Sequence, residues 1–246
     1  MAYRPGAPMA ELGAVTRALL AIAREGQDDR RLAEQICQAC VAGLNVDGAA
    51  ISVLTATDAR ETLWATDATA EMLEDLQFTL NEGACLQAAV TGSPVLVPDL
   101  WHSTEVARWP FFAAAVAERT DVRALFALPL QWGAVSLGVL DLYRATPGGL
   151  SGAQWRDALS AADAAALLIL GLRTDRGGDG GWLDHSLGSN RVEIHQATGM
   201  VLVQLGVSAE EALARLRARA FVEQRLLIEV ARDVVARRLV FTGDAE

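Results

Sequence analysis

The sequence predicts an α+β fold with a central antiparallel sheet flanked by helices, followed by an all-α unit of three helices. Two pairs of short apolar runs are each separated by a polar turn, which is typical of antiparallel hairpins. Segments with apolar residues at helical spacing precede, interrupt and follow those runs. A glycine-rich stretch then separates this mixed part from a purely helical one, which predicts two domains.

The first elements are two amphipathic helices and a strand hairpin. Apolar residues at helical spacing predict helices over Met9–Glu25 and Asp28–Leu44. The runs GAAISVL (Gly48–Leu54) and ETLWAT (Glu61–Thr66) predict two strands. A further helix is predicted over Ala68–Leu80.

The sheet continues in the middle of the chain. In NEGACLQAAVTGSPVLVPDL a short helix stops at Gly92, and Pro94 and Pro98 delimit an extended segment. A helix is predicted over Ala107–Arg119. The runs RALFALPLQ and SLGVLDLYR predict two strands that flank a turn at Trp132-Gly133.

A long helix and a linker end the mixed domain. Ser151 and Gln154 have the spacing of a capping box at the start of a helix that runs to Leu172. TDRGGDGG (Thr174–Gly181) has four glycines in eight residues. We therefore predict a first domain over 9–172, a linker over 173–183 and a helical domain over 184–240.

The helical domain contains a hairpin of two helices. Gly206 suits a left-handed helix stop, and Ser208 with Glu211 suits a capping box, so one helix ends and the next begins within about three residues. Helical spacing predicts the core positions Ile194, Ala197, Val201, Leu205, Ala212, Leu213, Leu216, Ala220, Leu227, Val230, Ala231 and Val234. The first helix also carries Val192, Gly199 and Val203 on its other side, which predicts packing on a partner subunit or on the first domain. A tolerant surface of small residues is the alternative.

The charge distribution excludes a generic binder of nucleic acids or membranes. The net charge is −10, and all 21 basic residues are arginine. Between Arg215 and Arg238, however, seven arginines stand against three acidic residues.

There is no secretory signal and no apolar run long enough for a membrane span, so we expect a cytoplasmic protein without membrane contact. Cys37 and Cys40 form a C-x-x-C on a helix, where small buried residues are more common than redox or metal ligands.

Two families are recognisable in these segments. GACLQAAVTGSPVLVPDL, RWPFFAAAVAERTDVRALFALPL and SLGVLDLYRATPGGLS resemble GAF sensor domains, over roughly Met9–Leu172. RVEIHQATGMVLVQLGVSAEEALARLRARAF and LLIEVARDVVARRL resemble an ANTAR domain, a three-helix RNA-binding module of transcription antiterminators. The order of the two resembles a GAF–ANTAR antitermination regulator of the actinobacterial type. Where many ANTAR domains have Ala-Lys-Gly, this chain has Ala197-Thr198-Gly199, which removes one potential phosphate contact.

The ANTAR resemblance implies that RNA stem-loops are the partner. Arginine planes and hydrogen-bonding side chains suit RNA loops. Arg215 and Arg219 share one flank of the second helix. The full set of candidates is Arg191, Gln196, Thr198, Arg215, Arg217, Arg219 and Arg225. The alternative is a solvated face on which these arginines pair with Glu211, Glu223 and Asp233.

The GAF resemblance implies a sensor whose signal is an unknown small molecule or protein. Cys85, Trp101 and Phe112 are candidates for lining a ligand pocket, with core packing as the alternative. No specific cofactor, metal or catalytic residue is predicted. Two other functions stay open: a protein-interaction regulator without RNA binding, and a thiol-dependent GAF reductase. Since one ANTAR copy offers a small footprint, we expect a homodimer that binds paired stem-loops, with the helix from Ser151 to Leu172 mediating the pairing. The GAF domain is expected to control this dimerisation or the exposure of the ANTAR domain.

Overall fold

The structure is a computed structural model that describes residues 13–22, 29–54, 60–133, 135–175 and 189–242. Over these ranges the chain forms a five-stranded sheet with helices on both faces, followed by a separate group of three helices. The helices are α1 (Ala14–Ile22), α2 (Asp29–Leu44), α3 (Ala68–Leu80), α4 (Ala84–Thr91), α5 (Ser103–Arg108), α6 (Pro110–Arg119), α7 (Gly152–Asp175), α8 (Ser189–Leu205), α9 (Ala209–Val222) and α10 (Leu227–Val235). The strands are β1 (Gly48–Leu54), β2 (Arg60–Ala65), β3 (Val95–Val97), β4 (Ala124–Trp132) and β5 (Val135–Arg144).

The sheet has the strand order β2-β1-β5-β4-β3, and every neighbouring pair is antiparallel. The predicted α+β architecture is therefore confirmed. At the centre of the sheet, Gly138 of β5 lies opposite Val53 of β1, and a Cβ atom there would stand 2.1 Å from the carbonyl oxygen of Ser52. Only glycine allows these two strands to approach so closely.

Each face of the sheet carries its own apolar core. Helices α1, α2 and α7 cover one face, where Ile36, Ile51 and Phe126 are almost completely buried. Helices α3, α4 and α6 cover the other face, with Phe112 and Val139 fully buried. The alternation of side chains along β4 and β5 supplies both cores at once, because successive residues point to opposite faces.

One predicted helix is wrong in its bounds. The segment predicted as a continuous helix over Ala107–Arg119 is two helices, α5 and α6, that meet at Trp109. Pro110 is at the start of α6. The first N–H groups of a helix have no partner within it, so the N–H that proline lacks is not missed at this position. Trp109 has φ −138 and ψ 70 and so leaves the helical region. The residue before a proline disfavours helical geometry, which accounts for the break.

The start of α7 follows the predicted capping chemistry, and α3 has a side-chain cap that was not predicted. At the start of α7 the Ser151 backbone N–H donates to Gln154 Oε1 at 2.9 Å, and the Gln154 N–H donates to Ser151 Oγ at 3.3 Å. The predicted capping box is therefore confirmed. At α3 the side chain of Asp67 accepts from the N–H groups of Thr69 and Ala70.

The three C-terminal helices share a core of their own. All the predicted core positions are fully or almost fully buried except Leu205 and Leu213, which are partly buried. The predicted helix stop at Gly206 is confirmed: its φ is +67, and its N–H donates to the carbonyl of Leu202. The predicted linker lies mostly outside the described residues, and the domain bounds stay predictions. Among the described helices, none combines the length and apolar character that a membrane crossing requires.

Candidate nucleic-acid interface and sensor site

Helices α8 and α9 form a tight hairpin that sets which side chains face outward. The carbonyl oxygen of Leu202 accepts from the N–H groups of Gly206 and Val207, which closes the end of α8. Ser208 Oγ accepts from the Glu211 N–H at 3.2 Å, which opens α9. Since Ala212, Leu216 and Ala220 of α9 are buried, the arginines between them lie on the remaining faces of that helix.

Two arginines on the outer face of α9 are each paired with a carboxylate. Arg215 Nη2 lies 3.4 Å from Glu211 Oε1, and Arg219 Nε donates to Glu223 Oε1. The two side chains are nevertheless 48% and 49% exposed. The solvated-face alternative predicts these pairs. In this conformation a carboxylate neutralises each guanidinium group, which is still accessible to solvent.

A chain of ion pairs continues from α9 to the end of α10. Arg225 donates to Glu223 at 3.0 Å and to Asp233 at 2.7 Å, and Arg238 donates to Asp233 at 2.6 Å. The guanidinium groups of Arg219 and Arg225 hold the pKa of the Glu223 carboxyl below its ordinary value of 4.5. Those of Arg225 and Arg238 do the same for the pKa of Asp233. With Arg219 at its start, the strip joins three guanidinium groups through two carboxylates, so it keeps a net positive charge.

Arg217 differs from its neighbours because it faces the sheet domain. Its Nε donates to the carbonyl oxygen of Phe78 at 3.3 Å. Its guanidinium carbon lies 4.9 Å from the centroid of the Phe78 ring, within the range of a cation–π contact. Arg217 is thus held by α3.

The candidates on α8 have different environments. Gln196 is exposed, whereas Thr198 is partly buried and donates its hydroxyl to the carbonyl of Ile194 at 2.8 Å. Arg191 lies on α8, but its side chain is outside the described part of the structure. Val192 and Val203 are 60% and 78% exposed, so neither packs on the sheet domain here. Packing of this face on a partner subunit stays a prediction.

Sequence reasoning missed three further arginines in or next to this strip. Arg232 pairs with Glu193 across α8 and α10 at 2.8 Å. Arg238 belongs to the ion-pair chain described above. Arg237 has φ +58, and its exposed guanidinium makes no hydrogen bond or ion pair to another described residue. The excess of arginine between Arg215 and Arg238 was the signal that pointed to them.

Comparison with protein families identifies both parts of the chain. The GAF domain family matches residues 28–171, and the ANTAR domain family matches residues 188–235. The chain belongs to the GAF family and carries an ANTAR domain after it. GAF domains sense signals and ANTAR domains are RNA-binding modules of antiterminators, so this is the architecture of a regulator in signal transduction.

Solved structures support the fold of the GAF domain. The GAF domain of a phosphoenolpyruvate-protein phosphotransferase from Coxiella burnetii superposes with a TM-score of 0.52 at 11% identity, covering 66% of this chain and 94% of that one. The equivalent domain from Acinetobacter gives 0.52 at 10% identity, covering 65% and 93%. Residues 122 to 287 of a methyl-accepting chemotaxis protein give 0.50 at 12% identity, covering 65% and 99%. No curated protein matches the chain significantly.

The GAF domain contains a small, mainly apolar cavity between its sheet and the helices α3 and α4. Its volume is about 10 Å³, room for one water molecule. Its polar lining comes from Glu74, Gln77, Asp141 and Tyr143. Burial, followed by the charge of Asp67, raises the pKa of Tyr143 to about 12. The polar part of the lining thus comes from α3 and β5, and the rest of the lining is apolar.

None of the three predicted pocket residues is among those that line this cavity. Cys85 is fully buried, and its Sγ lies 3.5 Å from Ser52 Oγ. Phe112 is fully buried in the core, and Trp101 is half-buried against it. Cys85 also offers its sulfur within 4.8 Å of ligand atoms of Glu74 and Asp141. Three such atoms are one fewer than the four ligands of a structural zinc site.

The other two cysteines are core residues of the opposite face. Cys37 and Cys40 are fully buried on α2. Burial raises the pKa of the Cys37 thiol well above 9.0, with the charge of Cys40 adding to it, and burial raises that of Cys40 to about 12. Because the thiolate is the reactive form, both thiols are in environments that suppress their reactivity.

Proposed function

We propose that this protein is a signal-responsive RNA-binding regulator that acts as a transcription antiterminator. Its ANTAR domain binds stem-loop RNA through the exposed face of α9 and the turn between α9 and α10. The observation that carries the proposal is the group of partly exposed arginines formed by Arg215 and by the strip of Arg219, Arg225 and Arg238, which lies on those elements within an ANTAR domain. The GAF domain supplies the signal-dependent control.

The carboxylates that pair with these arginines do not block phosphate binding. Exposed ion pairs contribute little net stability in water, because solvation and salt offset their attraction. Arginine binds phosphate in a bidentate geometry that a single carboxylate contact does not use fully. At Arg215 the ion pair with Glu211 spans 3.4 Å, so an RNA phosphate replaces Glu211 as its partner at a small cost in free energy.

The α8 side chains contribute less charge to this surface. Gln196 is exposed and carries both a donor and an acceptor for base edges. Thr198 has its hydroxyl proton committed to Ile194, which leaves only its acceptor lone pairs for a ligand. The position where many ANTAR domains carry lysine therefore offers no donor for a phosphate here, and the affinity depends on the arginine strip.

The proposal is tested by crosslinking the protein to RNA in cells and sequencing the bound fragments. We expect one class of stem-loops to be recovered with the wild type and lost with Arg215→Ala combined with Arg219→Ala. Arg156→Ala, an exposed arginine on α7 of the GAF domain, is the matched control and keeps the RNA.

Salt dependence measured in vitro on a recovered stem-loop gives a quantitative check. Each lost phosphate contact lowers the slope of log K against log salt by about 0.7 for single-stranded nucleic acid. The double variant should therefore lower the slope by about 1.4. An unchanged slope, or recovery of the same RNA with the double variant, contradicts the assignment of these two arginines.

A protein-interaction regulator without RNA binding is the second candidate function. The pairing of the arginines with carboxylates and the exposed Val192 and Val203 favour it. Recovery of no enriched RNA from any variant, with a stable homodimer by light scattering, would support this alternative over ours. We place catalysis outside the proposal, since all three cysteines are buried and a reductase needs an accessible thiolate.

Homodimerisation is a separate part of the proposal. Two linked ANTAR copies gain effective concentration on an RNA with paired stem-loops. In α7 the buried face is used by the core of the GAF domain, whereas Leu167 is 48% exposed and free to meet a second copy. Light scattering that shows a monomer both with and without RNA would contradict dimerisation while leaving single-copy RNA binding intact.

A further inference from the structure

The ANTAR domain rests on a defined surface of the GAF domain. Four side chains on α3 and α6 form this surface, which we call the docking face: Phe78, Thr79, Phe111 and Arg119. Their partners are on α9, on the turn that follows it and at the start of α10. The contacts join residues more than 100 positions apart in the sequence.

Aromatic side chains anchor one part of the contact. The rings of Phe111 and Phe221 meet edge to face, with centroids 4.9 Å apart and an interplanar angle of 84°. This is a favoured geometry for an aromatic pair. Phe78 packs against the core of the ANTAR domain, and Leu226 packs in return against the core of the GAF domain. Each domain therefore lends one apolar side chain to the other.

Hydrogen bonds fix the register of the contact. Leu227 is the first residue of α10, and its N–H has no partner within its own helix. Thr79 Oγ1, itself almost completely buried, accepts this N–H at 3.2 Å. Arg119 Nη2 donates to the carbonyl oxygen of Gln224 at 2.8 Å. The GAF domain thus supplies the cap of an ANTAR helix.

The docking face also withholds Arg217 from RNA. Arg217 is held against Phe78 by a hydrogen bond and a cation–π contact, while its neighbours Arg215 and Arg219 face solvent. In the docked form RNA also approaches a body in which 22 acidic residues stand against 13 arginines up to residue 183. Charges of like sign within about 8 Å repel a phosphate backbone at physiological ionic strength.

We propose that the docking face is an autoinhibitory latch that holds the ANTAR domain in a form with low RNA affinity. The inference rests on the proposed RNA-binding function and adds its regulation. Helix α3 connects the latch to the sensor, because Glu74 and Gln77 on its inner side line the cavity while Phe78 and Thr79 hold the ANTAR domain. Release frees Arg217 and moves the arginine strip away from the acidic body.

The test weakens the latch from the GAF side, so that no candidate RNA contact changes. The variant is Phe78→Ala combined with Phe111→Ala. The control is Trp132→Ala, an aromatic side chain at the end of β4 with the same 52% exposure as Phe111. The probe is a fluorescein-labelled pool of RNA stem-loops with randomised loops, and its affinity is measured by fluorescence anisotropy. Hydrogen exchange of the peptide containing Leu227 reports release independently of RNA.

In the double variant we expect faster exchange at Leu227 and an RNA affinity about tenfold higher. Only the released form binds RNA tightly, so the apparent Kd falls in proportion as the released fraction grows. Thr79→Val, which removes the acceptor for Leu227 but keeps the side-chain volume, should move both readouts in the same direction. Trp132→Ala should match the wild type in both.

The outcomes separate the latch from the RNA-binding function. If the wild type binds RNA and the latch variants exchange faster but bind RNA with the same affinity, the latch is overturned and RNA binding stays in place. Unchanged exchange in both latch variants overturns the docking contact itself. Faster exchange without RNA binding by any form overturns the RNA-binding function, and the latch as its regulator is overturned with it.

Discussion

Asp67 is the side chain on which the position of α3 depends most directly. Its Oδ1 accepts from the N–H groups of Thr69 and Ala70 at 2.8 and 2.9 Å and from the Tyr143 hydroxyl at 3.0 Å. Its Oδ2 accepts from Thr66 Oγ1 at 2.7 Å. One carboxylate therefore caps α3 and fastens it to β5.

Replacing this side chain should destabilise the GAF domain measurably. Loss of an N-cap costs about 1–2 kcal/mol. Loss of the hydrogen bond from the Tyr143 hydroxyl, in a residue only 9% exposed, to a charged acceptor costs about 1–3 kcal/mol. For Asp67→Ala we expect a loss of about 2–5 kcal/mol in the free energy of unfolding. Asp67→Asn retains capping ability and should lose less than half as much.

Urea denaturation followed by tryptophan fluorescence isolates this effect. Five of the six tryptophans lie in the GAF domain and Trp182 lies in the predicted linker, so the signal reports mainly the GAF domain. With a urea dependence of about 1–3 kcal/mol per molar, the midpoint for Asp67→Ala should fall by about 1–2 M. A midpoint within about 0.3 M of the wild type refutes the reasoning. The pKa of Tyr143 should also fall from about 12, which absorbance titration resolves because the chain has two tyrosines.

Three further predictions follow from single features of the fold. Leu216→Ala in the ANTAR core should lower the free energy of unfolding by about 2–5 kcal/mol, measured as earlier loss of the helical circular dichroism on denaturation. The tryptophan fluorescence of the GAF domain should shift less. An equal shift of the two transitions would show that the ANTAR core does not unfold separately from the GAF cores. Gly138→Ala should prevent recovery of folded protein, since its Cβ would collide with the Ser52 carbonyl; a soluble variant with the wild-type melting temperature would refute the close approach. The pKa values of Glu223 and Asp233 are lowered, so their stabilisation is present above pH 4.5 and is lost as the pH falls through the lowered values. The melting temperature of the helical signal should therefore drop on acidification, and drop less in Glu223→Gln combined with Asp233→Asn.

Local sequence signals account for much of the fold. The strand Gly48–Leu54 and the helix Ala68–Leu80 have the predicted bounds, because apolar periodicity and turn residues act within a few positions. The break at Trp109 was missed because apolar spacing continues across it, although Pro110 was visible in the sequence. A proline in mid-pattern was the stronger signal, since it disfavours helical geometry in the residue before it.

The environment of the candidate RNA-binding residues was less accessible to sequence reasoning. Arg215 and Arg219 were placed on an exposed flank by their spacing of four, and the same spacing gives their carboxylate partners. The position of Arg217 against Phe78 joins residues 139 positions apart, and no periodicity encodes such a pairing. The contact follows from the relative placement of two domains, which depends on surface complementarity rather than on any local pattern.

The side chain of Glu82 gives the sensor a mechanical property. Its Oε2 accepts from the N–H groups of Phe111 and Phe112 at 3.0 Å, so a residue just beyond α3 holds the first turn of α6. Glu82 thereby ties α6 to the end of α3, and we expect the two helices to move as one unit. In the latch that we propose, Phe78 and Phe111 therefore leave the ANTAR domain in a single step, so that each molecule is either docked or released, with no half-docked form.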